Sequence, residues 1–110
     1  MDRIEKYQQI IREELQYQLE LGYSDMPNIK YKLIEDGFQF IVLAVGWHEK
    51  EYIHDLWFHL EIIEDKVWIF ENNTDYQLGK ALTTKGMAKD DILVAWLDRG
   101  ENTYTKALAA

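Results

Sequence analysis

Residues 29–71 read IKYKLIEDGFQFIVLAVGWHEKEYIHDLWFHLEIIEDKVWIFE and contain four strand-like runs. Apolar and polar residues alternate along much of this stretch, which is the pattern of strands with one buried face. Short polar turns separate the runs, and the pair Asp36-Gly37 suits a tight hairpin because both residue types tolerate positive φ. The stretch therefore predicts an antiparallel meander. Its strands are expected at Ile29–Glu35, Phe38–Trp47, Tyr52–Ile63 and Lys66–Glu71.

The segments on either side of the meander predict two helices and one further strand. Residues 3–21 carry apolar residues at helical spacing, and Gly22 is the expected C-cap. Beyond the meander, Thr74-Asp75-Tyr76-Gln77 has the form of a capping box that begins a second helix. Gly86 is expected to end that helix, and Ile92–Trp96 is a short apolar strand.

The predicted fold class is therefore α+β. It consists of an N-terminal helix, a four-stranded antiparallel β-meander, a second helix and a short C-terminal strand, with the helices on one side of the sheet. The 110 residues suit a single domain over residues 1–110. A chain of this size buries roughly two-thirds of the surface that its unfolded form exposes. It is therefore expected to fold without a disulfide or a metal.

The composition excludes several classes of function. The sequence has no cysteine, which rules out a disulfide framework, a thiol nucleophile and a Cys-ligated metal site. No apolar run approaches the roughly 20 residues of a membrane span. The segment Met1–Lys6 is charged and no apolar signal-peptide region follows it, so a cytoplasmic protein without membrane contact is expected.

Net charge argues against direct binding to nucleic acid. Twelve basic and twenty acidic residues give a formal charge of −8. Proteins draw most of their non-specific affinity for DNA from Lys and Arg side chains that neutralise phosphates, and neither half of this chain is basic. An anionic membrane surface is disfavoured for the same reason.

The residue pair most capable of chemistry is His59 and Glu61. These positions place an imidazole and a carboxylate on one side of a strand, about 6–7 Å apart, and such a pair suits a small metal-dependent hydrolase. A half-exposed polar sheet face explains the pair equally simply and is the favoured interpretation. We therefore expect no catalytic residue, no cofactor and no metal. The adjacent acidic pairs Glu13-Glu14 and Asp90-Asp91 are expected in solvent, because neighbouring residues do not converge on one site.

The aromatic residues indicate an interaction surface instead. Strict alternation along the third strand places Ile53, Trp57, His59 and Glu61 on the face opposite the helix-covered core. An apolar sheet face without a helix over it needs another cover, and Trp is enriched at binding hot spots. These four residues are the candidate interaction face, toward either an identical copy or another protein. The opposite face is expected to carry Leu56, Phe58 and Leu60.

Short segments spread over nearly the whole chain resemble the XisI-like family, the fdxN element excision controlling factors of nitrogen-fixing, heterocyst-forming bacteria. Their order and spacing together carry the resemblance. The segments are Glu5-Lys6-Tyr7 with Ile10-Ile11; Val45-Gly46-Trp47; His59-Leu60-Glu61-Ile62 with Asp65-Lys66-Val67-Trp68-Ile69; Thr74; Gly79 with Ala81-Leu82; Gly86 with Lys89-Asp90-Asp91-Ile92; and Thr105 with Ala107 and Ala109.

The resemblance implies an α+β fold of the predicted order and a non-enzymatic regulatory role. It implies that the protein acts with a partner called XisH, itself similar to restriction-type nucleases, in the programmed excision of a DNA element or as an antitoxin-like regulator of that partner. It supplies no catalytic residues. Two alternatives stay open at this point, a direct DNA-binding recombination directionality factor and the metal-dependent hydrolase built on His59 and Glu61.

Overall fold

The computed structural model describes residues 2–21 and 27–97. It contains a five-stranded sheet, two α-helices and a 3-10 turn at Lys89–Asp91. The predicted order of helices and strands is confirmed. The elements are α1 (Arg3–Leu21), β1 (Ile29–Asp36), β2 (Gln39–His48), β3 (Glu51–Ile63), β4 (Lys66–Asn72), α2 (Leu78–Thr84) and β5 (Ile92–Val94). The expected C-cap at Gly22 and the tail Asp98–Ala110 lie outside the described residues.

The strands follow one another across the sheet in chain order, from β1 to β5. The first four strands pair antiparallel, as the meander predicts, and β5 pairs parallel with β4. The parallel pairing requires a crossover, which α2 and the 3-10 turn supply. The short C-terminal strand therefore extends the meander to a fifth position at its edge.

Both helices pack on one face of the sheet, which forms the core. The apolar stripe of α1 meets inward-facing residues of β2, β3 and β4, and α2 adds Leu78 and Leu82. On the sheet this helix-covered face is marked by fully buried side chains at alternate positions, which are Phe40, Val42, Phe58, Leu60, Val67 and Ile69. The prediction that the helices lie on one side of the sheet is confirmed.

Polar contacts fix the position of α1 on the sheet. The guanidinium of Arg12 donates two hydrogen bonds to the carboxylate of Glu35 on β1, at 2.8 and 2.7 Å. The hydrogen bonds from Arg12 lower the pKa of Glu35. Near the opposite edge of the sheet, the hydroxyl of Tyr7 donates to Asp91 at 2.6 Å and accepts the amide N–H of Ala88 at 3.1 Å. The helix is thus tied to both edges of the sheet.

The second helix begins three residues later than the capping box predicts. Its first residue is Leu78, and no side chain caps it. The hydroxyl of Thr74 accepts the amide N–H of Tyr76 and donates to Asn72. Both hydrogen bonds of that hydroxyl therefore lie within the preceding turn, and the predicted hydrogen bond to the amide of Gln77 does not form. The end of the helix agrees with the prediction, because Gly86 follows it with a φ of +111°.

Candidate functional site

The face of the sheet opposite the helices is called the open face below. Residues paired across neighbouring strands lie on the same face, so the register separates the two faces. Within residues 2–21 and 27–97 no helix packs on the open face. Its β2, β3 and β4 members are Gln39, Ile41, Leu43, Val45, Trp47, Tyr52, His54, Leu56, His59, Glu61, Ile63, Lys66, Trp68, Phe70 and Glu71.

The centre of the open face is apolar. Leu43 pairs with Leu56 across β2 and β3, and Ile41 pairs with His59 one row further along. These side chains are only half-buried, because they cover one another and no further layer of described residues lies over them. At one end of the face, Trp47 and Tyr52 are more than half exposed, with ring centroids 5.3 Å apart. A contiguous apolar area of this kind is the usual mark of an interaction site on a globular protein.

His59 is held in place within the open face. Its Nε2 forms a hydrogen bond with the side-chain amide of Gln39, at 2.9 Å from Oε1. Its ring also contacts Phe70, with centroids 5.1 Å apart. Gln39 itself pairs with Glu61 across the sheet. The imidazole therefore takes part in a polar row between apolar neighbours, an arrangement suited to hydrogen bonding with a partner surface.

The structure does not bring the four predicted face residues together. His59 and Glu61 lie on the open face, but Trp57 packs against the core and Ile53 pairs with Gly46 on the helix-covered side. The reason is a β-bulge. Val42 pairs with Phe58 whereas Leu43 pairs with Leu56, so Trp57 is an extra residue and reverses the alternation.

Because of the bulge, the residues in the first half of β3 lie on the opposite faces from those predicted. Leu56, expected in the core with Phe58 and Leu60, lies instead on the open face. Trp57 turns toward the helices. Its ring centroid lies 4.5 Å from that of Tyr31 and 6.4 Å from that of Phe58, which it meets edge-on. Together with Gln18 of α1 it lines a cleft of about 510 Å³. The part of the prediction that concerns Ile53 and Trp57 as open-face residues is therefore wrong.

Truncation of Trp57 is now expected to weaken the fold itself. Because the indole packs on the core while staying partly accessible, Trp57→Ala should lower the free energy of unfolding by about 2 kcal/mol, below the range of a fully buried Trp. Urea denaturation measures the change. Trp47→Ala is the matched control, since that indole is 55% exposed and its loss should change stability by less than about 1 kcal/mol. Equal stability of Trp57→Ala and the parent would contradict the core placement.

Two buried carboxylates form polar clusters that were not predicted from the sequence. Glu14 is 1% exposed and accepts the hydroxyl of Tyr76 at 2.5 Å, while Lys85 lies 3.8 Å from its other oxygen. Burial, and then the hydrogen bond to Glu14, raise the pKa of Tyr76 to about 12. The expectation that Glu14 is solvated is wrong. A signal was present, because Glu14 stands three residues after Ile11, on the apolar stripe of α1.

Asp91 is the second buried carboxylate, at 4% exposure. It accepts hydrogen bonds from Tyr7 at 2.6 Å and from Lys66 at 2.8 Å, and the guanidinium of Arg3 lies 3.7 Å away. Burial raises the pKa of Asp91, but the hydrogen bonds from Lys66 and Tyr7 and the two positive charges outweigh it and lower the pKa below 3.8. Of the pair Asp90-Asp91, only Asp90 is exposed as expected.

The clusters around Glu14 and Asp91 serve packing, and neither has the composition of a metal centre. Among residues 2–21 and 27–97, no group of three or more His, Asp or Glu side chains is placed to hold a metal ion. In the same part of the chain, no helix has both the length and the apolar character needed to cross a bilayer.

Comparison with known proteins places this geometry in a family. The family model described as XisI protein matches residues 1–107. A solved XisI-like protein from Anabaena variabilis shares 26% identity over 82% of this chain and 84% of its own, with a TM-score of 0.74. The solved fdxN element excision controlling factor XisI from the same organism shares 25% identity over 90% of this chain and 100% of its own, with a TM-score of 0.73.

Comparison with curated protein sequences gave no match. The two structural likenesses extend over most of each chain and agree with the order of helices and strands described above. The resemblance seen in the short sequence segments is confirmed by the family model, which spans almost the entire sequence. On these grounds the chain belongs to the XisI family.

Proposed function

We propose that this protein is a non-enzymatic accessory factor that controls the excision of a DNA element and acts in the cytoplasm by binding a XisH-like protein. The observation that carries the proposal is the likeness to the solved fdxN element excision controlling factor, which extends over the whole of that chain and 90% of this one. The membership of the XisI family supports the same role.

The charge of the chain supports association with a DNA-handling protein. The formal charge is −8, and acidic side chains are exposed on the outer side of α1, among them Glu13 and Glu20. A nuclease-like partner must carry a basic surface for its phosphate contacts. Opposite charges steer such partners together and raise the association rate. An acidic accessory subunit of this kind regulates its partner by occupying or reshaping the basic surface.

The isolated protein is expected not to bind duplex DNA at about 150 mM salt. With so few basic residues, binding would release few counterions and would lack its main driving force. Titration of a labelled duplex, followed by fluorescence anisotropy, measures the affinity. A dissociation constant in the micromolar range or tighter would contradict the expectation and favour the alternative of a directionality factor that contacts DNA itself.

The proposed role is tested with the XisH-like protein of the same genome. The partner's affinity for duplex DNA, and any cleavage by it, are measured alone and with one equivalent of this chain. We expect complex formation and a change of at least ten-fold in the partner's activity on DNA. The charge-reversed variant carrying Glu13→Lys and Glu20→Lys should associate more slowly, whereas the parent's rate should fall steeply with added salt. Absence of a complex at low salt would overturn the proposal.

A further inference from the structure

We propose that the open face joins two copies of this chain in a two-fold symmetric dimer, with the two sheets packed face to face. The inference goes beyond the proposed function and does not depend on the identity of the DNA-handling partner. Three observations on the open face carry it, namely its apolar centre, its size and the placement of its charges.

Among the residues that the structure describes, the apolar centre has no second layer over it. Leu43 and Leu56 are neighbours on the open face, but both are only half-buried. In a two-layer sheet structure, the side chains of two such faces interdigitate across about 10 Å and exclude water from each other. A second copy supplies a layer of the same composition, so each Leu43 and Leu56 would become core residues of the dimer.

The size of the face suits a stable interface. The five strands contain 8, 10, 13, 7 and 3 residues, and each residue covers about 3.4 Å along its strand and about 4.8 Å across the sheet. The projected area of the sheet is thus about 670 Å². Because side chains enlarge the accessible area above the projected one, this approaches the 800 Å² or so that each partner buries in a standard interface.

The charges of the open face are arranged for self-complementarity. Lys32 on β1 flanks the row that contains Leu43 and Leu56, and Glu71 on β4 flanks the next row, which contains Ile41 and His59. The two charges thus stand on opposite sides of the apolar centre. In the part of the chain that the structure describes, neither forms an ion pair.

A two-fold axis through this centre, roughly along the strands, brings Lys32 of each copy opposite Glu71 of the other. The same contact then occurs twice, as an isologous interface requires. A wholly basic partner would meet Lys32 and Lys30 on β1 with like charge, and a wholly acidic partner would meet Glu61 and Glu71. A second copy is the occupant whose charges fit both sides.

The test exchanges the two charges. Lys32→Glu and Glu71→Lys are each expected to raise the dimer dissociation constant at least ten-fold, because each variant faces like charges twice. The double variant, and an equimolar mixture of the two single variants, should recover a dissociation constant within about three-fold of the parent. Sedimentation velocity between 1 and 100 µM measures all five samples. The matched control for Lys32→Glu is Lys80→Glu on α2, which changes the net charge by the same −2 and lies on the helix-covered side.

Each outcome decides the question. A parent that stays monomeric at 100 µM, or a dimer that none of the charge variants weakens, would overturn the proposal. A dimer that the single variants weaken but the double variant does not restore would overturn the Lys32–Glu71 pairing and with it the proposed symmetry. Because Lys32 is exposed and Glu71 lies near the sheet edge, circular dichroism should show parent-like folding of every variant. A monomeric parent whose complex with the XisH-like protein is weakened by Lys32→Glu would place that partner on the open face and overturn the dimer.

Discussion

Replacing Gly46 with alanine is expected to destabilise the fold by about 4 kcal/mol. A Cβ at this position would lie 2.2 Å from the carbonyl oxygen of Asn28 and 3.0 Å from the Cα of Ile29, and both of these are backbone atoms that cannot rotate away. The φ of Gly46, +152°, adds strain for any residue with a side chain. The steric overlap contributes about 1–3 kcal/mol and the backbone strain a similar amount.

Gly37→Ala separates these two contributions. Gly37 also has positive φ, +60°, but a Cβ there meets nothing within 4 Å. This control should therefore lose only about 1 kcal/mol, the cost of the left-handed backbone for a residue other than glycine. Urea denaturation of both variants gives the comparison. If Gly46→Ala were no less stable than Gly37→Ala, β1 and β2 would not approach each other as closely as described.

Asp91→Ala is expected to lower the free energy of unfolding by about 3 kcal/mol. The substitution leaves the hydroxyl of Tyr7, whose side chain is 2% exposed, without its acceptor, and it leaves Lys66 without its charged partner. Breaking a buried hydrogen-bonded pair from one side carries a cost of about this size. Asp90→Ala is the control, because the neighbouring carboxylate is exposed and should matter by less than about 1 kcal/mol.

The same carboxylate gives the stability a pH dependence. The hydrogen bonds and positive charges around Asp91 overcome the effect of burial and lower its pKa below 3.8 in the folded protein, so the folded state favours the ionised form. The resulting stabilisation is complete above the unfolded-state pKa, about 4. It is lost as the pH falls through the lower pKa of the folded protein. Asp91→Asn should therefore show a flatter loss of stability below about pH 4, and a slope equal to the parent's would contradict the proposed role of Asp91.

The helices and strands of this fold could be predicted because their signals are local. The bounds of α1 follow from an apolar stripe at helical spacing, and the turns of the meander follow from short polar pairs such as Asp36-Gly37. The reversal of faces in β3 could not be predicted. A bulge inserts one residue, and the run from Tyr52 to Ile63 looks equally regular with or without it. Only pairing with β2 shows that Trp57 is the extra residue.

The candidate site was predictable in part, because two of its residues also follow a local alternation of apolar and polar residues. His59 and Glu61 lie beyond the bulge, where the alternation again matches the core positions Phe58 and Leu60, and both are on the open face as expected. The buried carboxylates escaped prediction because their partners are distant in sequence. Glu14 depends on Tyr76, 62 positions away. A pattern read within one helix turn cannot show such a partner, although the position of Glu14 on the apolar stripe of α1 was a hint.

The hydrogen bond from Tyr7 to Asp91 joins residues 84 positions apart and has a consequence for synthesis. At roughly 5–20 residues per second, the ribosome completes position 91 about 4–17 s after position 7. During that interval α1 lacks the 3-10 turn that its Tyr7 contacts, and a helix in a protein owes most of its stability to such tertiary packing. The antiparallel strands pair with their neighbours first, since these contacts are local. The Tyr7–Asp91 hydrogen bond is thus a late, nearly post-translational contact, and until it forms α1 is held on the sheet only by the core residues of the earlier strands and by Arg12–Glu35.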